Sequence, residues 1–101
     1  MIIDCHGHYT TAPKPLQAYR DAQIDGLKNP SNVQTKGVVA ITDDEIRESL
    51  EKAQLKLQRE RGTDLTIFSP RASSMAHHVG DATTSLYWSQ HCNDQIGRAH
   101  V

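Results

Sequence analysis

The chain has 101 residues, 37% of them apolar, and its 11 basic side chains against 12 acidic ones leave a formal net charge of -1. This length accommodates one domain and excludes a complete (β/α)8 barrel, which takes about 250 residues. A near-neutral balance supplies no basic stripe for nucleic acid, no apolar run approaches the roughly 20 residues of a membrane span, and the N-terminus lacks the basic flank and apolar core of a secretory leader.

Met1–Cys5 is short, apolar and β-branched, and reads as a strand that ends as the first histidines begin. A polar loop with two prolines, Pro13 and Pro15, follows, and Leu16, Tyr19, Gln23 and Leu27 then recur at near-helical spacing, predicting a helix over 15–24 that Gly26 and the stretch 28–32 break. Residues 28–40 read as a connection. Thr42-Asp43-Asp44-Glu45 is a capping box, with Ile41 and Ile46 placed to staple it. Ile46, Leu50, Ala53 and Leu57 continue as one apolar stripe, Glu48 and Lys52 form a favourable i,i+4 pair, and Gly62 supplies the stop. Leu65–Phe68 is the second strand. A loop over 72–82 leads to a third helix, capped by Thr83 or Thr84 and carrying Leu86, Tyr87, Gln90 and Cys92. Alternating strands and helices predict an α/β chain with a parallel sheet. Cys5 and Cys92, outside any CxxC pair, read as two reduced thiols of a cytoplasmic protein.

The sharpest local feature is Asp4-Cys5-His6-Gly7-His8. Side chains two apart on a strand share a side, so His6 and His8 are placed to converge on one ion, and neutral imidazole ligates zinc and other first-row metals. The C-terminal end of a strand is also where α/β folds bind their ligands, and Gly7 leaves room between the two rings. A bare HxH pair is a weak signal for which surface histidines are the default reading; the N-terminal strand and the preceding Asp4 bring the metal reading level with it.

The strand-end Asp-x-His-x-His resembles the first metal motif of the amidohydrolase superfamily. Residues 1–14, 60–73 and 75–81 are similar to the branch of that superfamily containing 2-amino-3-carboxymuconate-semialdehyde decarboxylase, and only the connection over 28–40 matches poorly. The resemblance implies the first βα units of a (β/α)8 TIM barrel, incomplete in this chain. It implies a zinc-dependent hydratase that adds water to the C=C of a small tricarboxylate formed in aromatic catabolism, cytoplasmic and a homo-oligomer when full length. His6 and His8 would be metal ligands. Arg71, at the mouth of the implied barrel, would bind a substrate carboxylate through its guanidinium fork, or else pair with an acid such as Asp81. Of the adjacent His77 and His78, His77 is the one expected to reach the site, as substrate contact or proton donor. Ser69 and Ser73 would hydrogen-bond substrate oxygens or shape the turn at Pro70, and Tyr9 is a further substrate-binding candidate. His91 and Trp88 read as a helix-face histidine and a packing residue.

A catalytic zinc site needs about three protein ligands, and only two match, so the chain as it stands is expected to be inactive. Gln95-Ile96-Gly97-Arg98-Ala99-His100-Val101 departs from helical apolar spacing, and residues 96–101 correspond to one reading frame of a common sequencing adapter. The expected organisation is therefore 1–95 from the N-terminal part of an amidohydrolase-type barrel and 96–101 as a non-native tail. Two other functions compete: a decarboxylase or hydrolase of the same superfamily, and a small non-catalytic α/β module for metal binding or protein interaction.

Overall fold

A computed structural model of the chain describes residues 1–29, 35–71 and 75–99. In chain order the elements are β1 (Ile3–His8), α1 (Lys14–Gly26), α2 (Asp43–Ser49), a π-helical turn (Leu50–Gln54), α3 (Leu55–Glu60), β2 (Leu65–Ser69) and α4 (Ala82–Arg98). The two strands pair in parallel, as alternation with helices requires. Among the described residues no helix is long and apolar enough to cross a membrane.

β1 reaches further than its apolar residues suggest. It carries both histidines because β2 keeps pace with it, Gly7 facing Phe68 and His8 facing Ser69, and the Tyr9 N–H donates to the Ser69 carbonyl at 3.0 Å. The register slips between Asp4 and Gly7, where β1 has one residue more than its partner. This is a β-bulge, a device that re-aims side chains. Asp4 Oδ1 folds back to accept the His6 N–H at 3.0 Å, so the amide released by the bulge keeps a partner.

The capping box forms as read. Thr42 Oγ1 accepts the Glu45 N–H at 3.1 Å, and Glu45 Oε2 accepts the Thr42 N–H at 2.7 Å. Ile41 and Ile46 lie together in the core, and Lys52 Nζ stands 2.7 Å from Glu48. At the other end Gly62, with φ +71, lets the Thr63 N–H reach the Gln58 carbonyl and its own N–H reach that of Arg59, a Schellman termination. Between these ends the expected stripe fails. The π turn inserts extra winding, so the inward face passes from Ile46 and Leu50 to Gln54, Leu55 and Gln58, and Leu57 is left 47% exposed. Single π turns of this kind occur frequently at functional sites.

α4 begins two or three residues earlier than a cap at Thr83 or Thr84 would allow. Asp81 is the N-cap, accepting from the Thr84 N–H at 2.9 Å and its hydroxyl at 2.8 Å. Those two bonds hold its carboxyl below the ordinary value of 3.8. The expected loss of helical spacing near the end does not occur. The helix runs to Arg98, and Trp88, Cys92 and Ile96, at i, i+4 and i+8, are all buried. Arg98 then ties this end to the capped helix through Asp43 at 2.9 Å. His100 and Val101 lie outside the described residues.

Tyr9, Leu16, Ile41, Ile46, Trp88, Cys92 and Ile96 form one core in which α4 packs on α1 and α2. Arg20 is buried in it as well, its guanidinium 5.3 Å from the Trp88 ring centroid, close enough for a cation–π contact. Burial pushes the Cys92 thiol up to about 11, whereas Cys5 is exposed. Because the thiolate is the reactive species, a thiol reagent applied to the native chain is expected to modify Cys5 alone. Peptide mapping that found Cys92 modified at a similar rate would contradict the packing of α4.

Candidate metal centre

His6 and His8 converge as their two-residue spacing predicts. Their rings meet edge to face with centroids 4.8 Å apart and Nε2 atoms 2.8 Å apart. Two tetrahedral zinc ligands with bonds of about 2.0–2.1 Å stand roughly 3.3 Å from one another, so a separation of 2.8 Å is within about half an ångström of a ligating pair. The pair lies at the C-terminal end of β1, with His6 exposed and His8 half-buried. Among the described residues no third His, Cys, Asp or Glu completes the group.

The surroundings of His8 hold it firmly. Its Nδ1 lies 2.8 Å from Ser69 Oγ and 3.1 Å from the Pro70 carbonyl, and its own carbonyl accepts from Gln54 Nε2 at 3.1 Å. Gln54 closes the π turn and accepts in turn from Thr11 Oγ1 at 3.1 Å. The π turn thereby delivers a polar side chain to the end of the strand that carries His6 and His8. Gly7 is buried between the strands rather than making space for the rings: a Cβ there would meet Thr66 Cγ2 at 2.4 Å and the Ile67 carbonyl at 3.0 Å.

The remaining candidates separate. Arg71 is half-buried just beyond β2 and donates through Nη2 to Gln17 Oε1. Its Nε is buried without a hydrogen bond among the described residues. Among the described residues Arg71 forms no ion pair with Asp81, whose carboxylate caps α4. Ser73 lies outside the described residues. His77 and His78 are exposed on the turn before α4; among the described residues neither makes a hydrogen bond or ring contact with the His6–His8 pair. Tyr9 is placed in the core, 1% exposed, with its hydroxyl against that of Ser49. Alternation along the chain explains this: the residue after His8 turns to the opposite side. Burial pushes its phenol up from the ordinary 10.0. His91 is buried, not an open helix-face residue; its Nε2 bonds the Lys36 carbonyl at 2.6 Å and its ring packs on Tyr19. Sequence reasoning left Ser69 between two uses and missed Gln54, whose proximity depends on the π turn.

No protein-family model matches the chain. A curated 2-keto-4-carboxy-3-hexenedioate hydratase from Sphingobium sp. is 51% identical over 98 residues, which make up 97% of this chain and 28% of the relative. The crystal structure of 4-oxalomesaconate hydratase from Rhodopseudomonas palustris superposes with a TM-score of 0.82 at 48% identity, covering 98% of this chain and 29% of that one. Over nearly its whole length the chain is therefore similar to 4-oxalomesaconate hydratases, of which it spans little more than a quarter.

Proposed function

We propose that this chain supplies the first two metal ligands and one carboxylate-binding side chain of a 4-oxalomesaconate hydratase on a (β/α)8 barrel. The observation that carries the proposal is the convergence of the His6 and His8 Nε2 atoms at 2.8 Å, at the strand end where α/β proteins bind ligands. Zinc, or another divalent metal held there, would supply Lewis acidity and lower the pKa of a coordinated water to about 7. The name 2-keto-4-carboxy-3-hexenedioate describes a C3=C4 double bond conjugated to a 2-oxo group, with three carboxylates. Water gives up a proton as its oxygen bonds to C4, the π electron pair moves to the 2-oxo oxygen as an enolate, and the enolate collapses as C3 takes a proton, so that OH and H add across C3=C4 to give 4-carboxy-4-hydroxy-2-oxoadipate.

In this reading His6 and His8 hold the metal through Nε2, and Ser69, Pro70 and Gln54 fix His8. Arg71 holds a substrate carboxylate, for which its Nε, without a hydrogen bond among the described residues, supplies a donor. His77 carries proton delivery from the turn before α4, Ser73 a further substrate bond. The barrel is supported by the paired strands themselves: Ile3, Leu65 and Ile67 are each more than half exposed, apolar surface that further βα units would cover. Cytoplasmic location and homo-oligomeric assembly belong to the same proposal. Similarity to two hydratases favours hydration over decarboxylation.

A chimera tests this. Grafted in place of the matching segment of the R. palustris enzyme, this chain is expected to support consumption of 4-oxalomesaconate, to lose it to a chelator and to regain it with Zn2+. The same chimera with His8→Ala is expected to stay inactive under all three conditions. A folded chimera that binds Zn2+ and turns over no 4-oxalomesaconate would overturn the assignment.

A further inference from the structure

The hydrogen bonds behind the histidine pair determine where the ring protons are. Ser69 Oγ has one hydrogen and stands 2.6 Å from the Gly7 carbonyl, which only accepts. The hydroxyl therefore donates to Gly7 and accepts from His8 Nδ1 at 2.8 Å. The Pro70 carbonyl, 3.1 Å from the same nitrogen, imposes the same direction. Neutral His8 thus carries its proton on Nδ1 and presents a lone pair at Nε2. The 2.8 Å contact between the two Nε2 atoms then requires that His6 donate from Nε2 to His8.

We propose that Ser69 is a positioning residue that presets His8 as a metal ligand, so that the two histidines carry opposite tautomers before the metal arrives. On the proposed metal site, His8 binds as it stands, whereas His6 must first move its ring proton from Nε2 to Nδ1. Ser69 is suited to the task because Gly7, the residue between the two ligands, holds its hydroxyl in orientation. A metal-ligating histidine whose second nitrogen is anchored has a fixed ring orientation and a more basic donor atom, and removing such an anchor weakens metal binding by about 10–100-fold.

The tautomer test uses the metal-free 101-residue chain with 15N-labelled histidine at pH 8, and the metal test uses the R. palustris chimera described above with Zn2+ alone as the ligand. Long-range 1H–15N correlations are expected to show the proton of His8 on Nδ1 and that of His6 on Nε2. Ser69→Ala is expected to weaken Zn2+ uptake by about 10-fold or more, while Ser69→Thr, which keeps the hydroxyl, restores most of it; far-UV circular dichroism verifies that each variant is folded. A proton on Nε2 of His8 in the unsubstituted chain overturns the proposal, whether or not Ser69→Ala folds. Absence of Zn2+ uptake by the unsubstituted chimera, which has the enzyme's later strands, counts against the metal pair on which the proposal rests; uptake that Ser69→Ala leaves unchanged counts against Ser69 alone.

Discussion

Replacement of Trp88 by alanine is expected to lower the free energy of unfolding by about 3–5 kcal/mol, the range for emptying a buried tryptophan site. Trp88 is 0% exposed and is the largest fully buried side chain. Its ring lies in the cluster that joins α4 to Tyr9, α1 and the capped helix, with the Arg20 guanidinium against it. Truncation leaves a cavity at that junction and removes a contact surface from a buried cation. Since a domain of this size has only about 5–15 kcal/mol of stability in total, loss of cooperative unfolding near physiological temperature is the expected result. Urea denaturation measures it, and a loss below about 1 kcal/mol, the typical size of an average substitution, would contradict the central role given to α4.

The second large effect is at Gly7. Its backbone is buried against β2, and an added methyl group would stand 2.4 Å from Thr66 Cγ2 and 3.0 Å from the Ile67 carbonyl. The first obstacle is a side chain and the second is backbone, so Gly7→Ala has to push the strands apart. Overpacking of this kind costs about 1–3 kcal/mol, and here it also separates Ser69 from the carbonyl that orients it. Gly7→Ala is therefore expected to lose both stability and Zn2+ uptake. Adding Thr66→Ala removes the shorter contact but leaves the carbonyl, so the double variant is expected to recover part of the stability. Full tolerance of Gly7→Ala would show that β1 and β2 do not approach as closely as described.

Much of this architecture was legible in the sequence because it rests on local rules. The Thr42 capping box, the Gly62 stop and the β2 run are each written within a few consecutive residues, and the HxH pair follows from strand alternation alone. What the sequence concealed depends on contacts across the chain. Nothing local marks the π turn at 50–54, so spacing alone keeps Leu57 on the apolar stripe and leaves Gln54 unconnected with His8. Tyr9 is polar at its tip and adjacent to the metal motif, yet alternation turns it into the core. Asp81 displaced the threonines as cap because its carboxylate reaches both the amide and the hydroxyl of Thr84. His91 reads as a helix-face histidine because its partner, the Lys36 carbonyl, lies 55 positions away.

The central claim is that His6 and His8 act as a pair on one metal ion. Titrating the 15N-histidine-labelled chain with substoichiometric Co2+, while following all resolved imidazole signals, tests it directly. Signals of His6 and His8 are expected to broaden first and together, with His91, bound to the Lys36 carbonyl, and the exposed His77 and His78 affected less. Broadening centred on His77 and His78, or on His6 without His8, would contradict the account.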